Sequence, residues 1–268
     1  MPTNKINKCL CCESKMLEEA IQFKECPLTD TYLENKTDSL KLKNYNLSSY
    51  ICRDCGHLQL AEQVSEDESY QNYIYNSAIT SGLSDNFLEY ADSFKEFFKK
   101  LNDLELLDIG SNDGSFVAAC LSKQIKAFGI EPAKNIAELA NNNSRPTING
   151  YFTKEILNKV STLKNSKGFD IISFNNVLAN LADPLQQIGL AKSLLKNKAS
   201  IITIQTGYHP IQFSKGLFDY IYHEHFSYFS KFSLIKLASR VNLFPIKVIT
   251  SPLRGGTLRI YFTTDKNK

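Results

Sequence analysis

Apolar and polar positions along this chain switch between a strand rhythm and a helix rhythm. The clearest switch lies at Leu104-Glu-Leu-Leu-Asp-Ile109, an apolar run that stops at Gly110. Ser111, Asn112, Asp113 and Gly114 follow before Phe116, Val117, Ala118 and Ala119. That pattern predicts strand, tight turn and helix, the helix running to about Lys123. Upstream, Phe87, Leu88, Ala91, Phe94, Phe97 and Phe98 recur at helical spacing and predict a helix over Asp85 to Leu101 that packs on the sheet. Downstream, strands are expected over Ala127–Ile130, Asp170–Phe174 and Ala199–Ile204, with helices over Asn135–Asn141 and Leu185–Leu195 between them. Strands alternating with helices predict an α/β fold with a mostly parallel sheet covered on both faces. Lys247–Thr250 and Leu258–Thr263 close the chain as a hairpin turning at Arg254-Gly255-Gly256.

Composition changes this picture little. The 268 residues allow one large or two modest domains. Thirty-one basic residues against 28 acidic ones leave a net charge of +3, which makes no case for nucleic acid. No apolar run reaches the roughly 18 residues of a membrane span, and no leader precedes the first cysteines, so a cytoplasmic protein is the expectation.

The cysteines change it more. Six of the seven fall in the first quarter: Cys9, Cys11, Cys12, Cys26, Cys52 and Cys55. Cys9-x-x-Cys12 and Cys52-x-x-Cys55 form two knuckles, and four thiolates make a closed tetrahedral site of the structural zinc type. Cys11 is an alternative to Cys9 or Cys12, and Cys26 is spare. Metal binding closes the long loop between the knuckles and stabilises a segment too small to have much core. A zinc-binding module over 1–66 is expected, then a linker or tyrosine-bearing lid and helix over 67–101 and an α/β domain over 102–268.

The turn after Ile109 lies where doubly wound sheets bind ligands, outside the carboxyl end of a strand. Gly110 and Gly114 are four apart with an acid between them, unlike the dinucleotide fingerprint G-x-G-x-x-G. With Asp108 and Asp113 at the turn, a cationic ligand suits it better than pyrophosphate, which weakens an oxidoreductase reading. Glu131, followed by Pro132, stands about twenty residues on, where such folds place a carboxylate on ribose hydroxyls. A second cluster, Tyr222-His223-Glu224-His225, carries two of the four histidines. It lacks the i, i+4 spacing of a helical zinc site, and a general base tuned by Glu224 or Tyr222 is the better reading.

Taken in order, the four-cysteine module, the tyrosine segment around Tyr70, Tyr73 and Tyr75, Leu107-Asp-Ile-Gly-Ser-Asn-Asp-Gly114, Gly129-Ile-Glu-Pro132, Asn175-Asn-Val-Leu-Ala179 and Ile221-Tyr-His-Glu-His-Phe-Ser-Tyr-Phe229 resemble the zinc-containing, S-adenosylmethionine-dependent sugar C-methyltransferases of deoxysugar pathways. The resemblance runs over nearly the whole chain. It implies a class I methyltransferase fold, S-adenosylmethionine as cofactor and structural zinc on Cys9, Cys12, Cys52 and Cys55. It further implies cofactor contacts from Asp108, Gly110, Asn112, Asp113, Gly114, Glu131 and Pro132, with Asn175 and Asn176 beside the methyl-donor end. His225 is then the base, with Tyr222, Glu224 and Tyr75 as its neighbours at the catalytic site. Three departures accompany it: the family continues for about 100 to 150 residues more, a domain's length, Asn180 stands where a histidine is usual, and Arg254 stands where another is. The expected acceptor is a sugar or sugar-linked group in surface-polysaccharide or natural-product assembly, methylated on the carbon beside a keto group. O-methylation of a glycan hydroxyl or phosphoryl-type oxygen is the alternative, and a degenerate scaffold protein is the reading of another class.

Overall fold

A computed structural model describes residues 3–29, 33, 35–65, 82–162 and 168–267. The tyrosine segment with Tyr70, Tyr73 and Tyr75 lies outside them. The first strands are short: β1 (Thr3–Lys5), β2 (Leu17–Ile21), β3 (Ser49–Cys52), β4 (Leu58–Leu60) and β5 (Glu62–Val64). Helix α1 (Leu83–Ser93) leads into a repeating series: β6 (Glu105–Ile109), α2 (Ser115–Ser122), β7 (Lys126–Glu131), α3 (Lys134–Asn142), β8 (Thr147–Asn149), α4 (Lys154–Thr162), β9 (Ile171–Asn175), α5 (Pro184–Ser193) and β10 (Ile201–Gly207). A short helix α6 (His209–Ser214), a two-residue strand β11 (Ser227–Tyr228), α7 (Lys231–Ser239), β12 (Phe244–Ser251) and β13 (Thr257–Thr263) complete the chain.

The main sheet has seven strands in the order β12-β13-β10-β9-β6-β7-β8. Strands β6 to β10 pair in parallel. β13 is antiparallel to both of its neighbours, β10 and β12. The closing hairpin therefore forms one edge of the sheet, with β12 outermost and β13 joining it to β10. Strand order reverses at β6, which has β7 on one side and β9 on the other, so a ligand crevice opens at their carboxyl ends.

Alternation within β6 explains why the sheet needs cover on both faces. Leu106 packs with Phe87, Tyr90, Phe94 and Phe116 of the α1 and α2 side. Leu107 packs with Ile156, Ile188, Leu234 and Leu237 of α4, α5 and α7. The helix expected over Asp85–Leu101 starts at Leu83 and ends as a 3-10 turn at Glu96. Phe97, Phe98 and Leu101 still pack on the core, so their helical spacing reflects burial of an irregular segment.

The cysteine-bearing segment shares this core. Cys9, Cys11 and Cys52 belong to the same buried cluster as Phe229 and Leu234. Its sheet has the order β11-β4-β3-β2, so Ser227 and Tyr228 extend it antiparallel to β4. This pairing holds the histidine cluster against the module. No helix among the described residues is long and apolar enough to cross a membrane.

Candidate active site

Two cavities adjoin at the carboxyl ends of the strands. The first is walled by the turn after β6. Gly110 has φ 66°, and a Cβ there would stand 2.5 Å from the Val177 side chain, so both conformation and space require glycine. Asp108, Gly110, Asn112, Glu131, Pro132, Asn175 and Asn176 all line this cavity.

Glu131 ties two loops together. One carboxylate oxygen accepts the Asn112 N–H and the other the Ala133 N–H, each at 2.9 Å. Burial raises its pKa, against the pull of those two bonds. Asp108, 1% exposed, accepts from Ser173 Oγ at 2.7 Å and Asn175 Nδ2 at 2.8 Å. Burial pushes its carboxyl up to about 7, and the neighbouring Glu131 charge adds to the rise. Asn175 Oδ1 is buried with no protein partner among the described residues.

Asp113 and Gly114 do not line the cavity. Asp113 points the other way, where its carboxylate lies 3.3 Å from Arg145 Nη1 and accepts from the Ser115 N–H and hydroxyl. A Cβ on Gly114 would collide with the Arg145 stem. The pair therefore starts α2 and seats Arg145. The Asp113 carboxylate is paired with Arg145, and the carboxyl groups that line the cavity are those of Asp108 and Glu131.

The second cavity is lined by Tyr222, Glu224 and His225, together with His209, Gln212 and Tyr220. His225 Nδ1 lies 3.1 Å from the Tyr220 carbonyl, which can only accept, so the ring proton sits on Nδ1. Its Nε2 lone pair then accepts from the Tyr222 hydroxyl at 2.8 Å. Burial lowers the His225 pKa to about 4, the Tyr220 bond opposes this, and the Arg254 charge lowers it further. At neutral pH the imidazole is a free base. His223, by contrast, turns inward to the Tyr45 carbonyl and serves the module.

Asn176, Asn180 and Arg254 line both cavities. Arg254 is held with φ 52° in the turn before β13, whose carbonyls at Arg254 and Gly256 accept from Gln212 Nε2 at 3.0 and 3.3 Å. His209 and Gln212 escaped the sequence reading. The available signal was their position just past the carboxyl end of β10, where this sheet type binds ligands. Tyr75 lies outside the described residues.

The Sγ atoms of Cys9, Cys12, Cys52 and Cys55 lie within 4.8 Å of one another, with Cys9 to Cys55 at 3.5 Å and Cys12 to Cys52 at 3.6 Å. A tetrahedron with 2.3 Å zinc–sulfur bonds has edges of about 3.8 Å, so the donor set fits zinc in kind and size. Cys11 is not in this donor set, and its backbone N–H donates to Cys9 Sγ at 3.4 Å. Cys26 sits apart, paired through its backbone to Tyr45.

The methyltransferase domain family matches residues 83–248 of this chain. A zinc binding domain family matches residues 9–70. The C-methyltransferase NovU of Streptomyces niveus is 23% identical over 256 residues, which cover 96% of this chain and 60% of that protein. The chain thus spans about three-fifths of its curated relative. Among solved structures, a Pyrococcus horikoshii OT3 protein superposes with a TM-score of 0.55 at 11% identity, over 75% of this chain and 100% of that one. Magnesium protoporphyrin IX methyltransferase from Synechocystis PCC 6803, solved with SAH bound, gives 0.51 at 10% identity over 68% of this chain and 83% of that one. These structural likenesses show the fold.

Proposed function

Since the chain belongs to the methyltransferase domain family and carries its class I, S-adenosylmethionine-dependent α/β fold, we propose that it methylates a sugar or sugar-linked acceptor, on the carbon next to a keto group. The observation that carries this reading is the junction of the two cavities at Asn176, Asn180 and Arg254, one cavity with a carboxylate-lined wall and the other with a neutral base. The first suits the cofactor: Glu131 keeps lone pairs for a ribose diol, Gly110 admits close backbone approach, and Asn175 Oδ1 lacks a protein partner. When bound, S-adenosylmethionine supplies an electrophilic methyl group on a positively charged sulfur.

What this chain supplies is position and a proton path. Tyr222 OH, already donating to His225 Nε2, meets the acceptor. As the acceptor proton moves to the Tyr222 oxygen, the phenol proton moves to Nε2. The resulting imidazolium donates through Nδ1 to the Tyr220 carbonyl, and tyrosine ends neutral. Cys9, Cys12, Cys52 and Cys55 would hold zinc with no open position, so the metal would hold the module together beside β11 rather than take part in the transfer.

One observation favours a second reading, transfer to oxygen. A base with a pKa of about 4 is weak for removing a carbon-bound proton, whereas a hydroxyl can lose its proton while the new bond forms. Mass spectrometry of products from a labelled methyl donor and a panel of nucleotide sugars and glycan fragments tests the function. Solvent deuterium incorporation at the acceptor carbon separates carbon from oxygen transfer. Absence of S-adenosylhomocysteine binding at millimolar concentration would sink the enzyme reading.

A further inference from the structure

Among the described residues, Asn176, Asn180 and Arg254 line both cavities, and Arg254 alone of the three is charged. Its backbone is left-handed, φ 52° and ψ 40°, a conformation that persists at a residue with a side chain only where the surroundings impose it. Here they do so from several directions. Gln212, fully buried, donates through Nε2 to the Arg254 and Gly256 carbonyls at 3.0 and 3.3 Å. Lys215 Nζ donates to the Gly255 carbonyl at 3.1 Å, and Thr257 Oγ1 to the Leu253 carbonyl at 2.8 Å. Gly255 packs so closely that a Cβ on it would stand 2.5 Å from the Leu217 side chain. A turn between β12 and β13 is served best by glycine or asparagine at such a position, so the turn itself gives no reason for an arginine.

The Arg254 charge is felt in the acceptor cavity. Burial is the larger cause of the low His225 pKa, and the Arg254 charge adds to it. At Tyr220, where burial and the Asp219 charge raise the phenol pKa, the Arg254 charge pulls it down. A cation beside a neutral base opposes proton uptake, so Arg254 by itself hinders His225. The effect is offset when a negative charge develops beside the guanidinium, because the cation then stabilises what the base leaves behind. Asp219 and Glu224 line the acceptor cavity alone, which leaves Arg254 as the charged group where donor and acceptor meet.

We propose that Arg254 is a catalytic residue that donates N–H bonds to the keto oxygen of the acceptor and stabilises the enolate formed as the neighbouring carbon loses its proton. The assignment rests on the reading of carbon transfer. The proton goes to the Tyr222 and His225 pair, the C–H electron pair becomes the C=C bond, and the carbonyl π pair moves onto the oxygen held by Arg254. When the carbon takes the methyl group, the sulfur–carbon pair stays on sulfur and the oxygen pair returns to restore C=O. A guanidinium carries five N–H donors in a fixed fork, enough to hold an oxyanion and keep other partners.

The test is hydrogen exchange in D2O by the full chain saturated with S-adenosylhomocysteine, read by mass spectrometry on a panel of nucleoside-diphosphate ketohexoses. The wild-type protein should exchange the hydrogen beside the keto group. Arg254→Gly, which suits the left-handed backbone and keeps the turn, should slow exchange about 10²- to 10³-fold, with the acceptor KM and the S-adenosylhomocysteine affinity little changed. Millimolar guanidinium should restore part of the loss, which a purely structural arginine does not allow. Exchange by Arg254→Gly at the wild-type rate overturns the assignment. So does a raised KM with an unchanged maximal rate, which makes Arg254 a ground-state contact to an anionic acceptor. Loss of S-adenosylhomocysteine affinity in step with exchange also overturns it, by making Arg254 a support of the donor cavity. A wild-type protein that binds S-adenosylhomocysteine and exchanges no member of the panel overturns the carbon-transfer reading, and the assignment falls with it.

Discussion

Replacing Glu131 by Gln perturbs the donor cavity with almost no change in volume. Each oxygen of the native carboxylate accepts one backbone N–H, from Asn112 and from Ala133. Glutamine offers a single oxygen, so its NH2 must face one of those N–H groups and leave it unpaired in a site only 5% exposed. An unsatisfied buried donor costs about 1 to 3 kcal/mol. Removing a buried negative charge that burial already disfavours offsets part of this, so the net loss of stability should be about 1 to 2 kcal/mol. Binding should suffer more. A charge-assisted bond to the ribose diol is lost at about 1.5 to 3 kcal/mol, or roughly 10- to 150-fold in affinity. Urea unfolding gives the first quantity and calorimetry with S-adenosylhomocysteine the second. Affinity within twofold of wild type would refute the placement of the ribose at Glu131.

Other outcomes follow from the same geometry. His225→Ala should lower turnover by about 10² to 10⁴ with cofactor affinity nearly unchanged. Because His225 titrates near 4, wild-type kcat should be flat from pH 5.5 upward, and a limb near pH 6.5 that disappears in His225→Ala would contradict the buried neutral base. For Asp108 the folded pKa of about 7 lies above its usual 3.8, so the native state binds the proton more tightly and stability falls as pH rises from about 4 to 7. Asp108→Asn should remove up to roughly 3 kcal/mol of that fall, about two pH units at 1.36 kcal/mol each, read as the wild-type minus variant difference in urea unfolding at pH 5 and pH 8. An unchanged slope would place the carboxyl in a wetter site. Metal analysis should find one zinc per chain, reduced in Cys52→Ser together with thermal stability and retained in Cys11→Ser. Equal loss in both variants would contradict the ligand set.

How legible each of these features was in the sequence depended on the distance over which its cause acts. Strand β6, the turn at Gly110 and helix α2 follow from neighbours within a few residues, since alternation and turn conformation are local. The two C-x-x-C knuckles were readable because ligand chemistry restricts spacing. The Asp113–Arg145 pair was not readable: Arg145 lies 32 positions on, and nothing local says which way a turn carboxylate points. The irregular end of α1 was missed for a related reason, since apolar spacing reports burial whether or not the backbone stays helical.

The sequence by itself determined the class of sheet, the zinc-type thiolates, and the turn, carboxylate and histidine cluster from which a site could be built. Tertiary structure alone decided their relations. It set Cys9 rather than Cys11 against Cys55, aligned Asp108 with Asn175 across the reversal of strand order, inserted β13 beside β10, and brought two cavities together at Asn176, Asn180 and Arg254. It also chose the proton position on His225. The physical reason is that periodicity records which face is buried, whereas a hydrogen-bond partner is chosen by whichever distant group the packed sheet brings within 3 Å.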